Sequence, residues 1–267
     1  FYRVSQARNF RQTVPANHLE GLSTHQCRNS RANRPVDPRP QKRCLVQRCR
    51  VSIELIDGVF IDIKGTGMSP EEPRTATIIR ETGESKISVT VNLDGTGKVE
   101  VNTPVGFLKH MLHQIARHGL IDLKVEANGD LETGSHHTVE DTAIALGRAI
   151  DKALGDRKGI VRMADRTCPL DEALTQAVLD LSGRGYAVVN MGMDNNVGEF
   201  PADLARHFFE AIAIEGRFCL HIRVLAGQNE HHVIESAFKA FARAMGDASR
   251  LNERDLGTVP STKGTLI

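Results

Sequence analysis

The stretch His136-His137-Thr138-Val139-Glu140 has a close copy in His231-His232-Val233-Ile234-Glu235. On a helix, residues four apart share a face, and neighbouring residues lie about 100° apart around the axis. Each copy can therefore aim one histidine and one glutamate in one direction and a second histidine in another. Two such helices could hold two metal ions between them.

The chain around both copies repeats as well. A helical segment around His110 aligns with one around His207, and the register continues through Gly119 and Gly216. The repeat unit is about 90 residues long, which is too long for a solenoid and is typical of a duplicated half-domain.

Hydrophobic periodicity and turn residues predict a unit of strand, strand, helix, strand and helix, with an additional first strand at 77–80. In the first repeat we predict further strands at 86–93, 98–102 and 120–127, and helices from Pro104 over about 14 residues and from His136 to Gly155. In the second repeat we predict strands at 174–181, 186–191 and 218–225, and helices at 202–214 and 231–245. The expected fold class is α/β, of the two-layer α+β type, with duplicated half-domains that each form a mostly antiparallel sheet with two helices.

Composition excludes several classes of protein. The 267 residues are 40% hydrophobic and 25% charged, as expected of a globular protein. The absence of Trp and an aromatic content of 4% argue against nucleic-acid binding by base stacking. No apolar run approaches the roughly 20 residues that span a membrane, so we expect no membrane partner. The five cysteines are an odd number with no close spacing inside the repeats, which favours free thiols in a reducing compartment.

The first fifty residues differ from the rest of the chain. They contain eleven basic residues against only Glu20 and Asp37. We interpret 1–73 as a basic leader and linker, and 74–267 as the folded domain, with repeats at about 74–165 and 166–267. An Arg-rich, acid-poor leader is typical of organelle transit peptides, which predicts a plastid location; otherwise the protein is expected in the cytoplasm. A disordered basic tail without a targeting function and an upstream translation artefact are the alternatives.

Nine of the eleven histidines lie between 110 and 232. A single helical histidine is usually a surface or core residue, but a repeated His-His-x-x-Glu that follows a paired upstream histidine indicates a metal centre. Imidazoles with carboxylates suit manganese, iron or zinc, and the absence of cysteine from the set disfavours a structural zinc site.

Further motifs resemble those of the imidazoleglycerol-phosphate dehydratase family of histidine biosynthesis. They are Gly106-Phe107-Leu108 before His110, Gly155-Asp156-Arg157-Lys158-Gly159-Ile160, Pro169-Leu170-Asp171-Glu172-Ala173-Leu174, Leu181-Ser182-Gly183-Arg184 and Pro260-Ser261-Thr262-Lys263-Gly264. The resemblance extends from about Arg74 to Leu266. It implies a hydro-lyase, two Mn²⁺ ions per active site, and a homo-oligomeric 24-subunit shell with active sites between subunits.

Matched position by position, the resemblance implies two sets of metal ligands. The first set is His110, His137, His231 and Glu235, and the second is His136, Glu140, His207 and His232. Glu84 matches a glutamate of the family's substrate site and is our candidate acid/base, while Glu235 is a candidate for carrying the proton to the leaving hydroxyl. The substrate-binding residues that we predict are Gln114, His118, Arg162, Arg184, Lys239, Ser261, Thr262 and Lys263. The guanidinium and ammonium groups among them suit a phosphate monoester.

The implied reaction removes water from D-erythro-imidazoleglycerol phosphate to give imidazole acetol phosphate. No carbonyl acidifies the proton that must leave, because it sits on a carbon beside an imidazole ring. Two metal ions that bind the ring nitrogens could accept the developing charge.

The family pattern has acidic residues at four positions near the histidines. This chain instead has Lys109, His113, Gly134 and Ser135 there. Carboxylates beside ligating imidazoles orient them, and their loss typically costs roughly 10- to 100-fold in metal affinity or activity. A weakened or non-catalytic metal-binding shell relative is therefore an alternative function. A two-metal phosphohydrolase is a third, although such sites usually contain a bridging Asp, which is lacking here.

Overall fold

The computed structural model describes residues 73–192 and 195–266, so the predicted leader lies almost entirely outside the described residues. The strands are β1 (Thr75–Glu81), β2 (Ser85–Asn92), β3 (Val99–Asn102), β4 (Asp122–Gly129), β5 (Met163–Leu170), β6 (Ala173–Asp180), β7 (Tyr186–Asn190) and β8 (Cys219–Ala226). The helices are α1 (Gly106–Gly119), α2 (His136–Leu154), α3 (Asp203–Glu215) and α4 (Glu230–Ser249). Within these ranges, no helix combines the length and apolar character needed to cross a membrane.

The duplication predicted from the sequence is visible in the topology. One sheet has the strand order β1-β2-β4-β3, and the other has the equivalent order β5-β6-β8-β7. All pairings are antiparallel except β3 with β4 and β7 with β8, which are parallel. Each half contributes two helices in equivalent places, so the predicted fold class is confirmed.

Strand β5 is the one element of the described chain that the periodicity did not predict. It is the counterpart of β1, but along it only Cys168 is buried, and Met163 is 58% exposed. A strand with so few inward apolar residues carries little alternation to detect. β5 also spans the predicted repeat boundary between 165 and 166.

Helices from opposite halves pack in pairs, α1 on α4 and α2 on α3. Small residues allow the close approach. A Cβ at Gly246 of α4 would collide with the carbonyl oxygen of Gly119, and one at Gly147 of α2 would lie 2.7 Å from the carbonyl oxygen of Ile212. These contacts bring histidines from different halves near one another.

Arg74, directly before β1, forms an ion pair and a hydrogen bond that link the start of β1 to the rest of the domain. Arg74 donates to Asp94 over 2.6 Å and to the carbonyl oxygen of Ser249, at the end of α4, over 2.7 Å. The hydrogen bond from Arg74 holds the pKa of Asp94 below its usual value. A lowered carboxyl pKa stabilises the fold above the pKa of the unfolded chain, and that contribution is lost as the pH falls through the folded-state value.

We therefore expect Asp94→Asn to lower the free energy of unfolding at pH 7 by about 1 kcal/mol or less, because the pair is partly exposed. The difference in unfolding free energy from the unmodified protein should shrink as the pH falls below the ordinary pKa of an aspartate, towards the lowered pKa of Asp94. Urea unfolding at pH 7 and at pH 3 measures the loss of unfolding free energy at neutral pH and its decrease in acid. Glu81→Gln is the control, since Glu81 is 64% exposed and lies 3.6 Å from Lys86. An equal loss of unfolding free energy at both pH values would contradict a stabilising role for the ionised Asp94 carboxylate.

Candidate metal centre

The first histidine–carboxylate cluster lies where α1 meets α4. Glu235 Oε2 is 3.0 Å from His110 Nε2 and 3.1 Å from His231 Nε2. One ligand atom from each of these three residues lies within 4.8 Å of the others. Such a group can surround one ion at bond lengths of about 2 Å after small side-chain movements. We refer to these three residues as the α1–α4 cluster.

The second cluster occupies the equivalent place between α2 and α3. His136 Nε2 lies 3.5 Å from Glu140 Oε2, one turn along α2. The rings of His136 and His207 are 5.4 Å apart between centroids. We refer to these three residues as the α2–α3 cluster. It is more open than the first, because the side chain of Glu140 is 45% exposed and that of Glu235 is 12% exposed.

The remaining two predicted ligands point towards hairpin turns. His137 Nδ1 lies 3.4 Å from Glu84 Oε2, between β1 and β2. His232 Nδ1 lies 2.7 Å from Glu172 Oε2, between β5 and β6. One chain therefore brings together three of the four ligands in each predicted set, and the fourth of each set stands beside a hairpin glutamate.

Two of these carboxylates, those of Glu235 and Glu172, have pKa values well below the usual range. Burial acts to raise the pKa of Glu235, but hydrogen bonds from Lys239 and His110 lower it to about 2. The hydrogen bond from His232 lowers the pKa of Glu172 to about 2, and the same bond raises the pKa of His232. Both glutamates are therefore ionised at neutral pH and available to a cation or to an imidazolium.

Sequence reasoning missed three acidic neighbours of the histidines. Glu172 is the repeat counterpart of Glu84, and the alignment of the two hairpins could have identified it. Asp203 and Glu210 flank His207 at distances of 4.0 and 3.7 Å. Their positions three or four residues from His207, on the same face of α3, are the sequence signal that could have identified them.

Two of the departures from the family pattern leave polar atoms without partners. His113 Nε2 and Ser135 Oγ are buried, and neither has a hydrogen-bond partner among the described residues. Both stand close in sequence to histidines of the clusters. Neither side chain therefore replaces the contact that a carboxylate at its position could make.

Some of the predicted substrate-binding residues lie near the α1–α4 cluster. Lys239 Nζ is 2.7 Å from Glu235 Oε1. His118 Nε2 is 3.1 Å from Gln114 Oε1 along α1. Burial lowers the pKa of His118, and the positive charges of Lys239 and Arg243 lower it further. This side of the helix pair is therefore basic.

Arg162, another predicted substrate-binding residue, lies beside the end of α4 opposite to the α1–α4 cluster. Arg162 pairs with Asp180 over 2.7 Å, and it donates to the carbonyl oxygen of Pro260, just before the Ser261–Lys263 segment. Its backbone N–H donates to the carbonyl oxygen of Ala248 on α4. Ala248 is thirteen residues beyond Glu235, which corresponds to about 20 Å of helix. Arg184 is exposed in the segment between β6 and β7.

The sequence model of imidazoleglycerol-phosphate dehydratase matches residues 103–245, which is more than half of the chain. The chain belongs to the imidazoleglycerol-phosphate dehydratase family. Several bacterial imidazoleglycerol-phosphate dehydratases are closely similar to it. The Roseiflexus sp. (strain RS-1) protein is 54% identical over 198 residues, which cover 74% of this chain and 100% of that protein. The Dehalococcoides mccartyi (strain 195) protein is 55% identical over 194 residues, which cover 72% and 97% of the two chains.

Solved imidazoleglycerol-phosphate dehydratase structures share the fold. The Staphylococcus aureus structure is 35% identical, with a TM-score of 0.61, and the match covers 67% of this chain and 99% of that one. The Pyrococcus furiosus structure is 32% identical, with a TM-score of 0.62, and the match covers 71% and 100% of the two chains. The family resemblance found in the sequence is thereby confirmed.

Proposed function

We propose that the protein dehydrates D-erythro-imidazoleglycerol phosphate to imidazole acetol phosphate, with two Mn²⁺ ions in each active site. Its family consists of hydro-lyases of histidine biosynthesis, and the protein is an enzyme of this kind. The observation that carries the proposal is the convergence of His110, His231 and Glu235, together with the equivalent group of His136, Glu140 and His207.

The chemistry of the donor atoms fits manganese. Both clusters offer imidazole nitrogens and a carboxylate and contain no thiol, and this combination suits Mn²⁺ better than a structural zinc site. The residues that would hold the ions are the two predicted sets, His110, His137, His231 and Glu235, and His136, Glu140, His207 and His232. When bound, the ions supply Lewis-acid stabilisation of charge that develops on the imidazole ring of the substrate.

We infer that each active site is completed by another copy of the chain. Arg162 lies about 20 Å along α4 from Glu235. An imidazole joined to a three-carbon phosphate ester is shorter than that span, which supports contact between the phosphate group and Arg162 and Lys263 of a different subunit. Exposed apolar side chains on the sheets, such as Ile79 at 69% and Met163 at 58%, support assembly. By the family resemblance, the assembly is a homo-oligomeric shell of 24 subunits.

The protein's own groups have separate tasks in this proposal. Glu84 stands at an exposed hairpin beside His137, where it can take up the proton that leaves carbon. Glu235, ionised before the reaction, can take a proton from solvent at Oε2 and pass it to the leaving hydroxyl, while Glu84 returns the proton from carbon to solvent, so that water leaves and both carboxylates are restored. Lys239, Arg184 and Arg162 provide charge for the phosphate. Glu172 contacts Nδ1 of His232 and thereby holds that imidazole in one orientation.

We also propose that the protein is located in a plastid. The basic composition of residues 1–50 supports import into a plastid. A fluorescent protein fused to residues 1–73 should accumulate in plastids, and an even cytoplasmic distribution would contradict this assignment.

The decisive test of the proposed function is product formation by the full chain, with added Mn²⁺ and after chelation. We expect imidazole acetol phosphate only when metal is present, and recovery of activity when Mn²⁺ is returned. Activity unaffected by chelation would contradict the metal requirement. Failure to form product despite bound manganese would favour the alternative of a weakened relative, to which Lys109, His113, Gly134 and Ser135 point.

A further inference from the structure

The two metal clusters have different acidic surroundings. Beside the α2–α3 cluster, Asp203 Oδ2 lies 4.0 Å from His207 Nε2, and Glu210 Oε2 lies 3.7 Å from His207 Nδ1. The repeat counterparts of these two acids on α1 are Gly106 and His113. The α1–α4 cluster therefore lacks both carboxylates, and the unpartnered Nε2 atom of His113 makes no contact in their place. Directly before the histidine pairs the difference is reversed, since Glu230 precedes His231 and Ser135 precedes His136, but Glu230 Oε1 is engaged by a hydrogen bond from Asn195 at 2.6 Å.

Lys239 adds a second difference between the clusters, because it places a positive charge beside the carboxylate of Glu235. Lys239 Nζ lies 2.7 Å from Glu235 Oε1, so the carboxylate of the α1–α4 cluster is already paired with a cation. The counterpart of Lys239 on α2 is Ile144, and Glu140 therefore has no lysine at this position. An ion that approaches Glu235 must share it with an ammonium group, which weakens the attraction.

The basic residues directly before His207 and His110 differ in whether a carboxylate lies close enough to offset their charge. Arg206, before His207, lies 3.9 Å from Glu210 on the next turn. Lys109, before His110, is exposed, and no described carboxylate lies within ion-pair distance of it. The positive charge of Lys109 therefore acts on the α1–α4 cluster without a neighbouring acid to offset it.

The shorter distances within the α1–α4 cluster do not favour it as a cation site. Its ligand atoms are close because Glu235 holds both imidazoles by hydrogen bonds, at 3.0 Å to His110 and 3.1 Å to His231. An incoming ion has to replace these bonds as well as compete with Lys239.

We propose that the two sites bind divalent cations with unequal affinity, with the α2–α3 cluster filling first and the α1–α4 cluster last. This inference rests on the proposed two-metal function. Loss of carboxylates beside ligating imidazoles typically costs roughly 10- to 100-fold in metal affinity. We therefore expect the two dissociation constants to differ by at least about tenfold.

Titration of the metal-free full chain with Mn²⁺ tests the proposal, with free Mn²⁺ followed by its electron paramagnetic resonance signal. Two classes of sites in equal number are expected. His113→Glu, which copies Glu210, should tighten the weak class alone, and Glu210→His should weaken the tight class alone. Lys109→Gln changes an exposed residue and should also tighten the weak class of sites, which keeps the test valid if the change at the half-buried position 113 disturbs folding.

Lys152→Gln is the matched control, because it changes the charge by the same amount as His113→Glu. Lys152 is exposed near the end of α2, sixteen residues and about 24 Å along the helix from His136, so both affinities should be unchanged. A single class of sites in an enzyme that turns over with Mn²⁺ would overturn the inference and leave the proposed function standing. Absence of both Mn²⁺ binding and turnover would overturn both. If Lys109→Gln tightens both classes or neither, the inference fails.

Discussion

Replacement of Glu235 by glutamine is expected to reduce kcat by a factor on the order of a thousand, which combines the loss of a metal ligand with the loss of a proton carrier. The carboxylate contacts His110, His231 and Lys239 at once, within 3.1 Å of each. A neutral amide of the same shape keeps the packing but cannot hold a cation equally well. It also leaves the ammonium of Lys239 without a negatively charged partner.

The measurement for Glu235→Gln is steady-state turnover at saturating Mn²⁺, together with the number of ions bound per chain. We expect one class of bound ion to be lost and the other to remain. Glu100→Gln is the matched control, since Glu100 is 75% exposed and pairs only loosely with Lys124 at 3.3 Å. Turnover within tenfold of the unmodified enzyme would show that the α1–α4 cluster is not the catalytic metal site.

Much of this architecture could be predicted from the sequence because the repeat is nearly regular. The helix from His136 to Leu154 has the predicted bounds, and Gly155 follows it with a positive φ of 56°. The apolar stripes of the helices and the alternating strands carry strong local signals. The carboxylate of each His-His-x-x-Glu motif indeed lies against a histidine of the same helix, at 3.5 Å in α2 and 3.1 Å in α4.

The pairing of the helices could not be predicted in the same way. Nothing in the local pattern indicates that α1 packs on α4 rather than on α2, because both partners present apolar faces. That choice depends on contacts between the halves, such as the close approach of Gly119 and Gly246. It also decides that His110 meets His231, which the duplication allowed without requiring. The positioning role of Glu172 depends equally on a hairpin reaching a helix sixty residues away.

Removal of the Phe238 side chain is expected to have the largest effect on stability. Phe238 is 1% exposed, and its ring centroid lies 4.6 Å from that of Phe209 and 5.0 Å from that of Phe208. Both partners belong to α3, so these three aromatic rings pack α3 against α4 in the core. Phe→Ala changes at such sites cost about 3–5 kcal/mol, because a cavity remains where the ring was. Phe238→Ala should lower the free energy of unfolding by that amount.

The structural role of Phe238 also predicts an effect on metal binding. α4 carries His231 and Glu235 of one cluster, and α3 carries His207 of the other, so a looser contact between these helices should weaken both sites. Phe238→Leu, which retains most of the volume, should cost only about 1 kcal/mol and leave both affinities near their original values. Urea unfolding and Mn²⁺ titration well below the melting temperature measure the two effects. If Phe238→Ala destabilised the fold but weakened only one cluster, the helices would position the two clusters independently, and the aromatic contact would not link them.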